Sequence, residues 1–185
     1  MGTIRNIIAA LRGNLKCAIK KVLNTSRFVY NPFLRINSDV DIRIDSKSRI
    51  SLGKGILVDS RTVISSTDGG NLVIGEMVGV NNNSMIMCHE SITIGDNTIM
   101  GPGVLIYDHD HDFNSTEGVK RNHYKTTPVS IGKNCWIGAG TIILRGSIIG
   151  DNCLIAAGSI IKGEYPIGSI VIQKRDEIIN KRTRT

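Results

Sequence analysis

Between Tyr107 and Pro128 the chain reads Tyr-Asp-His-Asp-His-Asp-Phe-Asn-Ser-Thr-Glu-Gly-Val-Lys-Arg-Asn-His-Tyr-Lys-Thr-Thr-Pro, and three of its four histidines fall in that stretch. An imidazole ordinarily titrates near ~6.5. A neutral histidine can therefore take a proton from a hydroxyl at neutral pH as that hydroxyl attacks an electrophile. His109 and His111 alternate with Asp108, Asp110 and Asp112. Any of these acids can orient a ring, and spacing does not say which. A long polar segment is a usual seat of function when it leaves a regular scaffold. The four cysteines, Cys17, Cys88, Cys135 and Cys153, show neither CxxC nor zinc-ribbon spacing.

The scaffold is legible on both sides of this segment. Ile131, Ile137, Ile143, Ile149, Ile155 and Ile161 are six residues apart. Leu52, Val58 and Ile64 keep the same period, as do Ile74, Val80 and Ile86. Ile94, Met100 and Ile106 resume it after a two-residue insertion near Cys88 and His89. A period of six is neither helical nor the alternation of a flat strand. It predicts an all-β solenoid, a parallel β-helix whose coils have three short strands and three corners. Ile131 then lies beneath Ile149, Ile137 beneath Ile155 and Ile143 beneath Ile161. Each coil buries its apolar edge by stacking on the next, about 4.8 Å away. Four residues after each of the first five isoleucines the side chain is small: Cys135, Thr141, Ser147, Cys153 and Ser159. Cys135 and Cys153 are read as packing residues. An aromatic content of 4% suits such a narrow core.

Residues 4–23 carry apolar residues at helical spacing, from Ile4 through Leu11 and Leu15 to Leu23. Basic residues fill much of the rest. The net charge is +7, yet no Asp or Glu precedes Asp39, while seven Lys and Arg do. This is a neutral body with a basic N-terminal segment, not a nucleic-acid binder. Two uses of the helix are open: packing on the body or on a neighbouring subunit, or lying on an anionic membrane face. No run approaches the ~20 apolar residues of a transmembrane helix, and no secretory signal is evident. A cytoplasmic protein is expected, with a possible peripheral position at the inner membrane face. The expected organisation is a helix and connector over 1–35, a β-helix over 36–172 with a protruding loop at 107–128, and a basic tail over 173–185.

The stretch Val129-Ser-Ile-Gly-Lys-Asn-Cys-Trp-Ile-Gly-Ala-Gly-Thr-Ile-Ile, followed by Ser147-Ile-Ile-Gly-Asp-Asn-Cys-Leu-Ile-Ala-Ala-Gly-Ser-Ile-Ile161, resembles the hexapeptide-repeat acetyltransferases. It is most similar to the group of galactoside, maltose and polysaccharide O-acetyltransferases. The resemblance implies a left-handed coil, a homotrimer with active sites between subunits, and acetyl-CoA lying along the C-terminal coils. No metal is required. His109 matches the family's catalytic histidine, with His111 the alternative if the register slips by two. Asn81 matches an asparagine at the acceptor or reacting centre, although asparagine also suits a plain corner. Asp108, Asn83 and Trp136 are expected near the acceptor. Trp136, Ala139, Ala157 and Lys162 are expected along the cofactor. The family's usual Gly-x-Pro-Ala-Lys/Arg ending is replaced by Ile172-Gln-Lys-Arg-Asp-Glu177.

The resemblance implies transfer of acetyl from acetyl-CoA to a sugar hydroxyl, in a capsular or surface polysaccharide or its precursor. Transfer to an amino sugar is a close variant. The basic N-terminal helix fits an acceptor that is lipid-linked. A γ-carbonic-anhydrase-like zinc lyase would need three converging histidines. His89, His109 and His111 are available for it, but with tighter spacing than that family uses. A non-catalytic assembly solenoid is the third class, and the polar segment with His109 argues against it.

Overall fold

The computed structural model describes residues 2–114, 118–121 and 123–174, with backbone alone for residues 2–6 and 9. Short parallel strands form three walls of a prism. The first wall runs Phe28–Tyr30, Arg49–Leu52, Asn71–Ile74, Ser91–Ile94, Val129–Ile131, Ile148–Ile149 and Glu164–Tyr165. The second runs Arg35–Ile36, Leu57–Val58, Gly79–Val80, Ile99–Met100, Trp136–Ile137, Leu154–Ile155 and Ile170–Val171. The third runs Asp41–Ile44, Val63–Ser66, Met85–Cys88, Leu105–Tyr107, Ile142–Ile143 and Ile160–Ile161. The chain visits the walls in turn, so the architecture is the parallel β-helix expected from the repeat, and it matches the left-handed form that the resemblance implies.

The isoleucine ladder lies in the predicted register. Ile131 pairs with Ile149, Ile137 with Ile155 and Ile143 with Ile161. All six are buried, as are the inward residues of the earlier runs. The corners use residues that accept a left-handed backbone. Asn83, Asn97, Asn134 and Asn152 have φ of 55–60°, which asparagine tolerates better than most side chains.

All four cysteines are buried and free. Burial pushes the thiols of Cys17 and Cys88 up to about 12, and thiolate is the reactive form. The native protein should therefore resist a thiol reagent at neutral pH and react at four positions once denatured. Rapid labelling of the native chain would contradict this packing.

The solenoid begins earlier than residue 36. Phe28–Tyr30 pairs in register with Ile50, Ser51 and Leu52, within the segment read as a connector. The six-residue period continues there, with Tyr30, Ile36 and Ile42 paired to Leu52, Val58 and Ile64, but an aromatic residue stands at its first position. The corner that follows, residues 31–34 with Pro32 and Phe33, has the same four-residue length as residues 53–56 one coil later. At the far end Gln173 acts as a strand substitute. Its side chain accepts from the Ile160 amide at 2.9 Å and donates to the Ile160 carbonyl at 2.7 Å, which blunts the last edge of the third wall. The tail beyond Lys174 lies outside the described residues.

The helix α1, Gly2–Asn24, covers the open N-terminal end. Gly13 lets its backbone sit on Ile36, where an added Cβ would come within 2.8 Å of the Ile36 carbonyl oxygen. Cys17 enters the core. Asn14 donates to the Leu34 carbonyl at 3.1 Å, and Lys16 donates to the Ser38 carbonyl at 2.8 Å, which pairs carbonyls that the first coil leaves open. The helix packs through this small and polar face. The expected packing on the body is thus present, while Leu11, Leu15, Ile19, Val22 and Leu23 are left exposed.

Candidate active site

The third wall delivers the polar segment to one corner. Leu105–Tyr107 ends at Asp108, whose side chain is fully buried. Its carboxylate accepts the backbone N–H of His89 at 2.8 and 3.0 Å and that of Glu90 at 2.8 Å. It also meets Nδ1 of His109 at 3.1 Å. Burial pushes the Asp108 carboxyl upward, but these hydrogen bonds outweigh it and leave the group below its ordinary value of 3.8. An ionised carboxylate only accepts. It therefore selects the His109 tautomer with the proton on Nδ1, which leaves the Nε2 lone pair free to act as a base.

The segment is a hairpin rather than a structureless loop. His109–His111 runs antiparallel to Tyr124–Thr126, pairing His109 with Thr126 and His111 with Tyr124. Asp110, on the opposite side of the strand from the histidines, pairs with Arg145 at 2.5 Å, and Arg145 also donates to Thr127 at 3.0 Å. Asp112 pairs with Lys125 at 3.0 Å. The three acids thus divide the work: Asp108 holds the ring, while Asp110 and Asp112 hold the hairpin.

His89, one coil earlier, stacks on His109 with centroids 3.6 Å apart and planes within 8°. The edge of Tyr124 closes on both, at 4.6 and 5.2 Å. A cleft of about 360 Å³ opens beside them, lined by Asp68, Gly69, His89, Glu90, Tyr124 and Thr126. His109 retains 13% side-chain exposure, whereas His111 is exposed, with its ring 4.8 Å from Tyr124. Parallel stacking does not aim the two imidazole edges at one point, as a shared zinc would need. Among the described residues no group of three His, Cys, Asp or Glu side chains converges to hold a metal.

Nδ1 of His89 is buried without a hydrogen bond, although Asp68 stands 3.4 Å away. Burial first, and then the charge of His109, lowers the pKa of His89 below 6.5; Asp68, Asp108 and Asp45 oppose them without prevailing. A histidine whose pKa is lowered in the folded state binds its proton more weakly there than in the unfolded chain. That stability is present above pH ~6.5 and is lost as pH falls through the folded pKa. The melting temperature should therefore drop on acidification from pH 7 to 5. His89→Phe, which keeps a stacked ring without titrating, should flatten that slope. An unchanged slope in the variant would assign the dependence elsewhere.

The remaining predicted residues lie elsewhere on the prism. Asn81 follows Gly79–Val80 at the corner from the second wall to the third. Its amide donates to the Met100 carbonyl, and its carbonyl accepts from Thr62. Asn83 accepts from Arg61 at 2.7 Å. Ala139 and Ala157 are exposed on the same corner in later coils, stacked so that the Gly158 amide donates to the Ala139 carbonyl at 2.7 Å. Trp136 is 58% exposed on the adjoining second wall, between Ile99 and Leu154. Lys162 departs from this group. It follows Ile160–Ile161 on the third wall and is exposed at the corner that carries His109. Sequence reasoning missed the stacking of His89, the edge of Tyr124 and the anchor Arg145. The insertion at Cys88 and His89 was the one signal available for the first of these.

The bacterial transferase hexapeptide (six repeats) family profile matches residues 128–163. Nodulation protein L of Rhizobium leguminosarum bv. viciae is 45% identical over 80 residues, which are 42% of this chain and 40% of that protein. Galactoside O-acetyltransferase of Escherichia coli (strain K12) is 37% identical over 81 residues, 44% of this chain and 39% of that one. The chain thus matches about two fifths of the length of these relatives. Among solved structures, a variant of AntD, an N-acyltransferase from Bacillus cereus in complex with dTDP and coenzyme A, superposes with a TM-score of 0.69. It is 20% identical, and the match covers 90% of this chain and 89% of that chain. That likeness establishes the fold.

Proposed function

We propose that this chain, whose ladder is the bacterial transferase hexapeptide repeat, is an acetyl-CoA-dependent O-acetyltransferase acting on a sugar hydroxyl. The observation that carries the proposal is the His109–Asp108 pair at 3.1 Å, with the acid fully buried and the histidine partly open. A sugar hydroxyl is a poor nucleophile at neutral pH. Nε2 of His109 takes its proton as the oxygen attacks the thioester carbonyl, and coenzyme A leaves as the thiol. Asp108 fixes the tautomer and stabilises the imidazolium that forms. The acceptor is a bacterial surface polysaccharide or its precursor, and a cytoplasmic protein at the inner membrane face belongs to the same proposal. Among the described residues no helix is long and apolar enough to cross a membrane.

The split of the predicted residues between two corners supports a homotrimer. One chain keeps Asn81, Ala139 and Ala157 apart from His109, so a complete site needs the second corner of a neighbour. Trp136 and the exposed apolar residues of the second wall, among them Ile99 and Ile170, offer the surface for that contact. Sedimentation equilibrium should return three times the chain mass of 20.1 kDa. A monomer fully active at assay concentration would overturn the shared site.

Release of free coenzyme A from acetyl-CoA, followed by thiol titration with a panel of sugars, tests the activity. The proposal expects release that depends on a hydroxyl acceptor. Release with amino sugars alone would favour N-acetylation, as in the N-acyltransferase neighbour. No release with any sugar, together with no binding of acetyl-CoA, would sink both.

A further inference from the structure

α1 turns its large apolar residues away from the solenoid. Leu11, Leu15, Ile19, Val22 and Leu23 are 52–77% exposed, and Ile7 and Ile8 extend the same face toward the N-terminus. The inward face is instead built from Gly13, Asn14 and Cys17. Phe33 adds to the outer surface. It is 76% exposed and held at φ 77°, a left-handed conformation that costs a bulky residue on the order of 1 kcal/mol or more. It flanks a cleft of about 460 Å³ shared with Leu11, Pro32 and Leu34. A contiguous apolar surface of this kind on a water-soluble chain marks an interaction site.

The charges beside it identify the partner. Arg12 and Lys20 border the apolar stripe, whereas Lys16 between them turns to the body and donates to the Ser38 and Val40 carbonyls. Arg12 and Lys21 are exposed. No acidic residue precedes Asp39 to neutralise them. An apolar stripe bordered by cations matches the acyl boundary and the phosphates of an anionic bilayer.

We infer that the outward face of α1, together with Phe33, docks this protein on an anionic lipid surface. The inference deepens the peripheral placement proposed above by naming the surface and its occupant. Because α1 lies over the first coil, docking stands the solenoid on its N-terminal end. His109 follows the fourth coil, three strand spacings or ~14 Å beyond the first. An acceptor sugar carried on a membrane lipid then meets the site at a set height.

The full-length protein, sedimented with phosphatidylcholine vesicles with and without phosphatidylglycerol, tests this. The wild type should pellet with the phosphatidylglycerol vesicles and only weakly with pure phosphatidylcholine. A Leu15→Glu, Ile19→Glu double variant should bind at least about tenfold more weakly, since two apolar anchors are lost. Its mass in solution should stay that of the wild type. Absence of wild-type binding, or equal binding by the variant, overturns the inference. A change in the variant's oligomeric mass also overturns it and assigns the face to a second copy. Turnover on a water-soluble sugar is read separately, so failure of docking and failure of the catalytic proposal are distinguishable.

Discussion

His109→Ala should lower kcat for acetyl transfer by about 10³-fold, the middle of the range for losing a positioned general base. The fold should survive. The ring is partly open and lies outside the isoleucine core, so its removal leaves the coil register intact. The buried Asp108 would keep the amides of His89 and Glu90 as partners. The KM for acetyl-CoA should change little, because the proposed backbone contacts to the cofactor at Ala139 and Ala157 do not involve the His109 ring. His111→Ala, which removes an exposed ring, should cost far less. Near-normal turnover in the His109 variant with a large loss in the His111 variant would move the base by two residues.

Asp108→Asn should cost nearly as much, on the order of 10²-fold or more in kcat, through a different cause. The amide has almost the same shape, and its oxygen can still accept from His89 or Glu90. Its NH₂ group, however, faces Nδ1 of His109 as a donor. That favours the tautomer with the proton on Nε2, where no base is available. The variant also loses the carboxylate that stabilises the imidazolium. A structural role alone would lower the melting temperature without a specific effect on kcat. Loss of the tautomer should lower kcat while acetyl-CoA binding stays at the wild-type level. Parallel loss of both would reduce Asp108 to a corner brace.

The solenoid was legible because its core is one-dimensional. One inward residue per six settles wall, register and coil, and Ile131 to Ile161 fall in that order. The first coil was missed although Tyr30, Ile36 and Ile42 keep the period, because an aromatic residue stands where Leu52 and Ile74 stand in the next two coils. The helix was legible but its orientation was not. Apolar periodicity ordinarily points at the core, whereas here a glycine and a cysteine pack inward and the isoleucines and leucines face out. His109 was legible through the break in the repeat and the resemblance. The choice among Asp108, Asp110 and Asp112 required the fold: alternation along the hairpin sends Asp110 toward Arg145, while burial at the end of the third wall sends Asp108 to the ring. His89 was hidden because stacking across one coil of a repeat with an insertion leaves no fixed sequence spacing.

We propose that this chain acetylates a surface sugar with His109 as base. Mass spectrometry of the surface polysaccharide tests it most directly, comparing source cells that carry the wild-type protein, lack it, or carry His109→Ala. Acetyl esters present with the wild type should disappear in both other cases. Acetylation at the wild-type level without the protein, or with His109→Ala in its place, would contradict it.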